Sequence, residues 1–434
     1  MNRIIYKGFA AAFVALTLTA CAGRKTYERP NVVNQKLFRT DNIPTDSLSS
    51  ANVSWRNIFT DATLQGHINK ALSHNLDVRV AMQNVASAQA YLKQSKAAFI
   101  PTLSVGANYT RSTNSINAMG GVGERTYGNL WDLTGAASWE ADIWGKLSAQ
   151  RRASYASYLA TVEAQKAVQS EVVATLATAY YQLLMLDKQK KVLEQTIDFR
   201  QKSLETTKSL KEAGSTTEVA TKQIEALVYN AQAQLVTIGN SIWALENTIC
   251  VLLGEEPHTI ERTTLAEQNF PTEFKQGYAA KLLQNRPDVA RAELTLRNAF
   301  EMTNVARAAF YPTLTLSARG GFSSTELDTW ISAKSIFANF VAGLAQPILN
   351  GRQIRTQYEV RQIEQETALL NFKKVILSAG KEVADAMQNF SNQTEFIELK
   401  NKEMKAYQEA TDYSKQLFDS GMVNYLEVIT AEVN

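Results

Sequence analysis

Prolines stand at 30, 44, 101, 257, 271, 287, 312 and 347, which leaves 102–256 and 348–434 free of them. Proline locks φ and removes an amide donor, so it is excluded from helix interiors. Both stretches can therefore carry very long helices, whereas a compact two-domain globule would space its prolines more evenly. Composition narrows the class. Hydrophobic residues at 45% and charged residues at 20% suit a chain that buries a core. Forty-five Lys+Arg against 42 Asp+Glu leave +3, too even for the electrostatic footprint of nucleic-acid binding. Two cysteines and three histidines cannot build a four-cysteine zinc site or a disulfide framework.

The chain is written twice. A shift of 211 residues lays Ala97-Ala98-Phe99-Ile100-Pro101-Thr102-Leu103 on Ala308-Ala309-Phe310-Tyr311-Pro312-Thr313-Leu314, and pairs Leu72 with Leu283 and Asp77 with Asp288. Gly145 meets Gly351 at 206 and Gly214 meets Gly421 at 207, so the first copy carries a longer insertion before Gly145. The copies span 61–260 and 261–434, and each reads helix, two strands, long helix, turn, long helix.

Strands are expected over 102–111 and 130–144 in the first copy, and over 313–323 and 336–349 in the second. Leu103, Val105, Ala107 and Tyr109 alternate with Ser104, Gly106, Asn108 and Thr110, and Leu314, Leu316 and Ala318 alternate with Thr315, Ser317 and Arg319. Period-two alternation gives one apolar and one polar face. About ten residues is the length of a tilted transmembrane strand. A soluble sandwich would alternate in the same way, and strand pattern alone does not separate the two.

Long helices are expected over 148–212, 217–253 and 352–419, with a last one from 424. Core positions step by three and four through Leu176, Ala179, Leu183, Leu186, Lys190, Leu193, Ile197, Arg200 and Leu204. In the second copy Ile376, Val383, Phe390, Ile397, Met404, Thr411 and Phe418 fall at strict sevens. Sustained heptads imply a left-handed coiled-coil seam. Gly214-Ser215 and Gly421-Met422 mark the reversals, since glycine accepts the left-handed cap that ends a helix.

Residues 1–20 carry Arg3 and Lys7 and then an apolar run too short to span a bilayer, the layout of a secretory signal. The run ends in Leu18-Thr19-Ala20-Cys21, which resembles a bacterial lipobox and makes Cys21 the candidate for acylation, palmitate included. Residue 22 is Ala, not the Asp that retains enteric lipoproteins at the inner membrane. An extended lipidated segment is expected over 21–60. Cys250 sits on an apolar helical stretch as a small core residue.

A strand pair in lipid cannot leave its edges unpaired, because hydrocarbon offers no hydrogen-bond partner. One chain supplies four strands and membrane barrels start at about eight, so copies must combine. Two copies give a small barrel filled by side chains; three give twelve strands and a lumen. The number of copies itself is not written in the sequence.

Several segments, taken in order, resemble outer-membrane efflux proteins of the TolC type, in the lipoprotein branch typified by OprM and NodT. They are Trp55-Arg-Asn-Ile-Phe59, Ala71-Leu72-Ser-His-Asn75, Trp139-Glu140-Ala-Asp142-Ile-Trp144-Gly145-Lys146, Asn285-Arg286-Pro287-Asp288 and Gln346-Pro347-Ile-Leu-Asn-Gly351. The resemblance covers 18–434. It implies a mainly α protein that forms, as a homotrimer, a twelve-stranded outer-membrane β-barrel over a long periplasmic α-barrel. It implies a periplasmic adaptor and an inner-membrane pump of the RND type as partners, outer-membrane lipid around the barrel, and passive export of small molecules, multidrug export included.

No catalytic residue, cofactor or metal site is implied. The gate is expected at the periplasmic tips. In OprM-like relatives a Leu and, four residues later, an Asp form constriction rings on the helix after the second turn. Leu426 matches the first, but the second falls on Thr430. Either Glu427 supplies the acidic ring, or the channel lacks one, or Glu427 is a solvated helix position. Adaptor docking is expected at Gly214, Ser215, Gly421 and Met422.

The returning helix of the second copy is expected to continue beyond Asn434, since the first copy runs about forty residues past its glycine turn. A periplasmic adaptor with one coiled-coil hairpin does not explain two copies, and a structural coiled-coil lipoprotein does not explain two-faced strands. His67, His74 and His258 lie far apart, with no phosphate loop or nucleophile motif to mark an enzyme.

Overall fold

The computed structural model describes residues 25–31, 54–117, 124–269 and 285–433; Cys21 and the expected signal segment lie outside them. The elements run α1 (Trp55–Ile58), α2 (Ala62–His74), α3 (Leu76–Ala97), β1 (Thr102–Thr113), β2 (Tyr127–Ala141), α4 (Lys146–Glu212) and α5 (Glu218–Leu253). The second half adds α6 (Pro287–Ala308), β3 (Thr313–Ser324), β4 (Ile336–Ala345), α7 (Gln353–Asp419) and α8 (Tyr425–Val433). Helix α1 interrupts the segment expected to be extended: the Ser54 hydroxyl accepts the Arg56 amide and starts a turn.

Two compact units cut across the sequence repeats: one holds 84–163 and 290–374, the other 33–83, 164–289 and 375–434. The reason is the sheet. Its order is β1-β2-β3-β4, all antiparallel, so strands of both repeats share one ladder within the first unit.

Register sorts the side chains. Leu103, Ala137, Ala318 and Phe340 form one cross-strand row, and Ala107, Leu133, Phe322 and Ile336 another. The alternate rows carry Thr102, Ser138, Ser317 and Val341, then Gly106, Thr134, Gly321 and Phe337, and then Asn108, Asp132 and Ser323. β1 and β3 are thus apolar on one face and polar on the other, as period-two side-chain geometry requires, whereas Leu130 of β2 and Phe337 and Val341 of β4 stand among the polar rows. Leu103, Val105, Phe340 and Leu344 are exposed, and β1 and β4 stand as edge strands. Gly321 lies where the ladder leaves no room for a side chain: a Cβ there would sit 1.9 Å from the Leu133 carbonyl oxygen.

The segment Trp139–Lys146 joins sheet to helix. The Trp139 indole donates to the Phe99 carbonyl at 3.0 Å, and the Trp144 indole donates to the Pro312 carbonyl at 2.7 Å. Asp142 accepts the Leu147 and Ser148 amides at 2.8 and 2.9 Å, which caps α4, and Gly145 turns with φ 73°. That cap ends β2 at Ala141, short of the expected 144. At its other end β2 begins at Tyr127, and β1 runs on to Thr113. Likewise β4 ends at Ala345 instead of 349, because Pro347 has no amide to donate to a ladder.

In the second unit, Leu64, Ile68, Leu176, Tyr180, Leu183, Ile249 and Leu253 form a closed core, and Cys250 is fully buried within it. Asn75 caps α3 through its carbonyl and donates its amide to the Leu252 carbonyl at 2.9 Å. Gly254 ends α5 at φ 71°, where a Cβ would meet the His74 carbonyl oxygen at 2.7 Å. Arg262 bridges Asp187 and Glu246. Along α4 the expected seam positions Leu176, Ala179 and Leu183 are buried and Leu186, Leu193, Ile197, Arg200 and Leu204 half-buried, while Lys190 is exposed; Ser203 and Thr207 are buried beside them. Thr207 returns its hydroxyl to the Ser203 carbonyl at 2.8 Å, and the Ser203 hydroxyl accepts from Tyr425 on α8.

Asp61 joins the ends of this unit. One oxygen caps α2, while the other accepts from Thr263, Gln268 and Tyr180 at 2.5, 2.9 and 2.9 Å. Burial pushes the Asp61 pKa up, but the hydrogen bonds from Thr263, Gln268, Tyr180 and Leu64 outweigh it, so the carboxyl titrates below its ordinary range. A carboxyl with a depressed folded-state pKa contributes stability that is present above its unfolded value, about 3.9. That stability is lost as pH falls through the folded value. Asp61→Asn turns an amide toward three donors, so it is expected to destabilise near neutrality and to differ less from wild type as pH falls through the acid range. Denaturant titrations at several pH values would check this; a constant difference would contradict it.

Candidate functional site

The two helix reversals share one geometry. At the first, the Gly214 amide donates to the Lys211 carbonyl and the Ser215 amide to the Leu210 carbonyl, at 2.9 and 2.8 Å. At the second, Gly421 donates to Phe418 and Met422 to Leu417, both at 2.9 Å. These are paired Schellman bonds, and they require the left-handed φ that Gly214 and Gly421 adopt, 76° and 71°. Thr217 caps α5 through the Ala220 amide, and Asn424 caps α8 through the Glu427 amide. Across the first turn Lys211 pairs with Glu218, whose pKa falls because of that hydrogen bond and charge. Val219 and Met422 stand exposed beside the turns.

Helix α8 is held along one side. Val428 and Ile429 are buried, and the Phe418 and Tyr425 rings lie 5.2 Å apart. The Tyr425 hydroxyl reaches the Ser203 hydroxyl on α4 at 3.4 Å, and Thr411 donates to the Ala431 carbonyl at 3.1 Å. Lys415 pairs with Glu432 at 2.5 Å, and that hydrogen bond raises the lysine pKa. Both turns therefore belong to one unit, linked through Tyr425 and Ser203.

Of the expected gate residues, Glu427 and Thr430 are exposed and lie three apart, on one face of α8. Leu426 sits on the same helix, and its side chain lies outside the described part of the chain. Tyr425, Lys415 and Glu432, which fix α8, carried no sequence signal: they meet partners through tertiary packing alone. Metal-binding geometry is missing among the described residues, where no three His, Cys, Asp or Glu side chains gather closely enough. The Cys250 thiol, within the apolar core, makes hydrogen-bond contacts with the His258 backbone and ring.

A two-faced four-stranded sheet continued by 67-residue helices, with paired glycine reversals, defines the TolC-like class of outer-membrane efflux channel. The family model described as outer membrane efflux protein matches residues 67–255 and 279–434, and the chain belongs to that family. The cation efflux system protein CusC of Escherichia coli K12 is 27% identical over 426 residues, covering 96% of this chain and 91% of CusC. The probable outer membrane lipoprotein SilC of Salmonella typhimurium is 26% identical over 410 residues, 94% of this chain and 87% of SilC. Among solved structures, the open state of the Neisseria gonorrhoeae outer-membrane channel MtrE superposes with a TM-score of 0.83 at 23% identity, covering 94% of this chain and 91% of MtrE. The chain is an outer-membrane channel component of an efflux system.

Proposed function

We propose that three copies of this chain close a single pore, anchored through a lipid on Cys21 and gated at the α8 end. An inner-membrane pump would deliver small molecules through an adaptor that seats on Gly214, Ser215, Gly421 and Met422. The observation that carries this reading is an uncovered apolar stripe. Tyr229, Val236 and Trp243 on α5 stand seven residues apart and are 62%, 66% and 68% exposed. Heptad-spaced apolar residues left in water are the mark of a coiled-coil seam awaiting its partner helix. Ile348 and Leu349, 91% and 97% exposed just past β4, ask for the same kind of cover. Edge strands β1 and β4 would pair between copies, twelve strands in all, with the Thr/Ser/Asn face turned to a wet lumen.

At the narrow end, Leu426 is proposed as an apolar ring around the axis, with Glu427 as the acidic neighbour that would attract cations. Opening would be an outward swing of α8 with its turn, biased by adaptor contact. Leu426→Ala in the complete protein is expected to raise single-channel conductance in planar bilayers; unchanged conductance would remove Leu426 from the gate.

A further inference from the structure

We propose that the β3–β4 loop, residues 325–335, is a lipid anchor that lies outward against the outer leaflet instead of capping the channel mouth. The loop is folded by its own hydrogen bonds. The Ser324 and Thr329 hydroxyls meet at 2.7 Å, Ser335 donates to the Thr329 carbonyl at 2.6 Å, and the Trp330 amide donates to the Leu327 carbonyl at 3.3 Å. This fold lays the Trp330 ring 5.7 Å from Trp131, whose ring lies 4.3 Å from Tyr109. Trp131 and Tyr109 are register partners in the row that belongs to the apolar face of the sheet. The loop thus turns toward that face and away from the polar one.

Its tips extend the same surface: Leu327 is 58% exposed and Ile331 is 68% exposed. Aromatic rings between an apolar band and water are the girdle residues of membrane barrels. Arg111, over the Tyr127 ring at 5.5 Å, adds a cation at the same end of the strands. The helix-proximal end of the apolar face carries Trp139, eight residues from Trp131 along β2, or about 27 Å of strand, close to the height of a lipid-facing band once tilted. The loop carries Glu326 and Asp328 against Lys334, so it is nearly neutral, and apolar burial supplies the attraction to lipid.

The inference rests on the sheet's apolar face meeting lipid, and the experiment separates the two. The complete lipoprotein, with Cys250→Ala, would carry a single environment-sensitive fluorophore at Ile331→Cys, in phosphatidylcholine vesicles. Phe340→Cys labels the mid-sheet apolar face and Ser317→Cys the polar face.

The label at 331 is expected to lose most of its emission to phosphatidylcholine bearing a nitroxide near the headgroup, and to resist aqueous iodide. Iodide quenching at 331 with no effect of the lipid nitroxide would overturn the anchor, as would resistance to both, which means cover by protein. A label at 340 that also escapes lipid quenchers would overturn the membrane reading of the sheet itself. Leu327→Cys repeats the measurement if Ile331→Cys disturbs folding.

Discussion

Arg152→Ala is expected to cost about 3–5 kcal/mol of stability, the largest single-residue loss we foresee outside the apolar core. Arg152 on α4 grips Glu301 on α6 with two parallel bonds of 2.8 Å, and the side chains are only 21% and 5% exposed. Asn304 adds a third donor to the carboxylate at 3.2 Å. Removing the guanidinium leaves a buried charge with an amide alone, which is far worse than never having had the pair. The double change Arg152→Met with Glu301→Leu is therefore expected to recover most of the loss, because two apolar side chains of similar volume need no desolvation of charge. Thermal unfolding followed by circular dichroism would rank the three proteins. A single variant as stable as wild type would show that water already satisfies Glu301.

Assembly is expected to fail altogether in the double variant Val236→Asp, Trp243→Asp. Both residues lie on one stripe of α5, and in a closed pore each copy would bury both, so six carboxylates would enter apolar seams. Each such burial costs several kcal/mol unless the seam opens. Gln234→Glu, at another exposed position of the same helix, is expected to leave assembly intact and serves as the control. Native gel mobility and light scattering of detergent extracts would read the outcome. Intact assembly of the aspartate variant would place that stripe in water.

Much of the architecture was legible because its signals are periodic. Proline-free stretches announced the long helices, alternation gave the strands, and the twin glycines marked both reversals. Strand ends escaped because they depend on single residues acting across the chain: Asp142 caps α4 and so terminates β2, and Pro347 terminates β4. On α4 Ser203 and Thr207 do not read as core, yet both are buried: Thr207 bonds back to the Ser203 carbonyl and the Ser203 hydroxyl accepts from Tyr425. The stripe Tyr229–Val236–Trp243 was present in the sequence as strict sevens, hidden within a helix apolar along much of its length.

At the candidate gate, the turns were readable and the clamp on α8 was not. Tyr425 and Ser203 lie 222 positions apart, and no local pattern links them. The same holds for Lys415 and Glu432, an ion pair whose value comes from where α8 is laid down. The register rows of the sheet add what alternation alone could not: the apolar positions of β1 and β3 coincide on one face, while Leu130 of β2 and Phe337 and Val341 of β4 fall on the other.

Native mass spectrometry of the complete protein, extracted gently from outer membranes, tests the central claim most directly. Three chains in the released particle, with the barrel still protected from protease, is the expected result. A persistent single chain, soluble after detergent removal and with its sheet edges open to water, would contradict it.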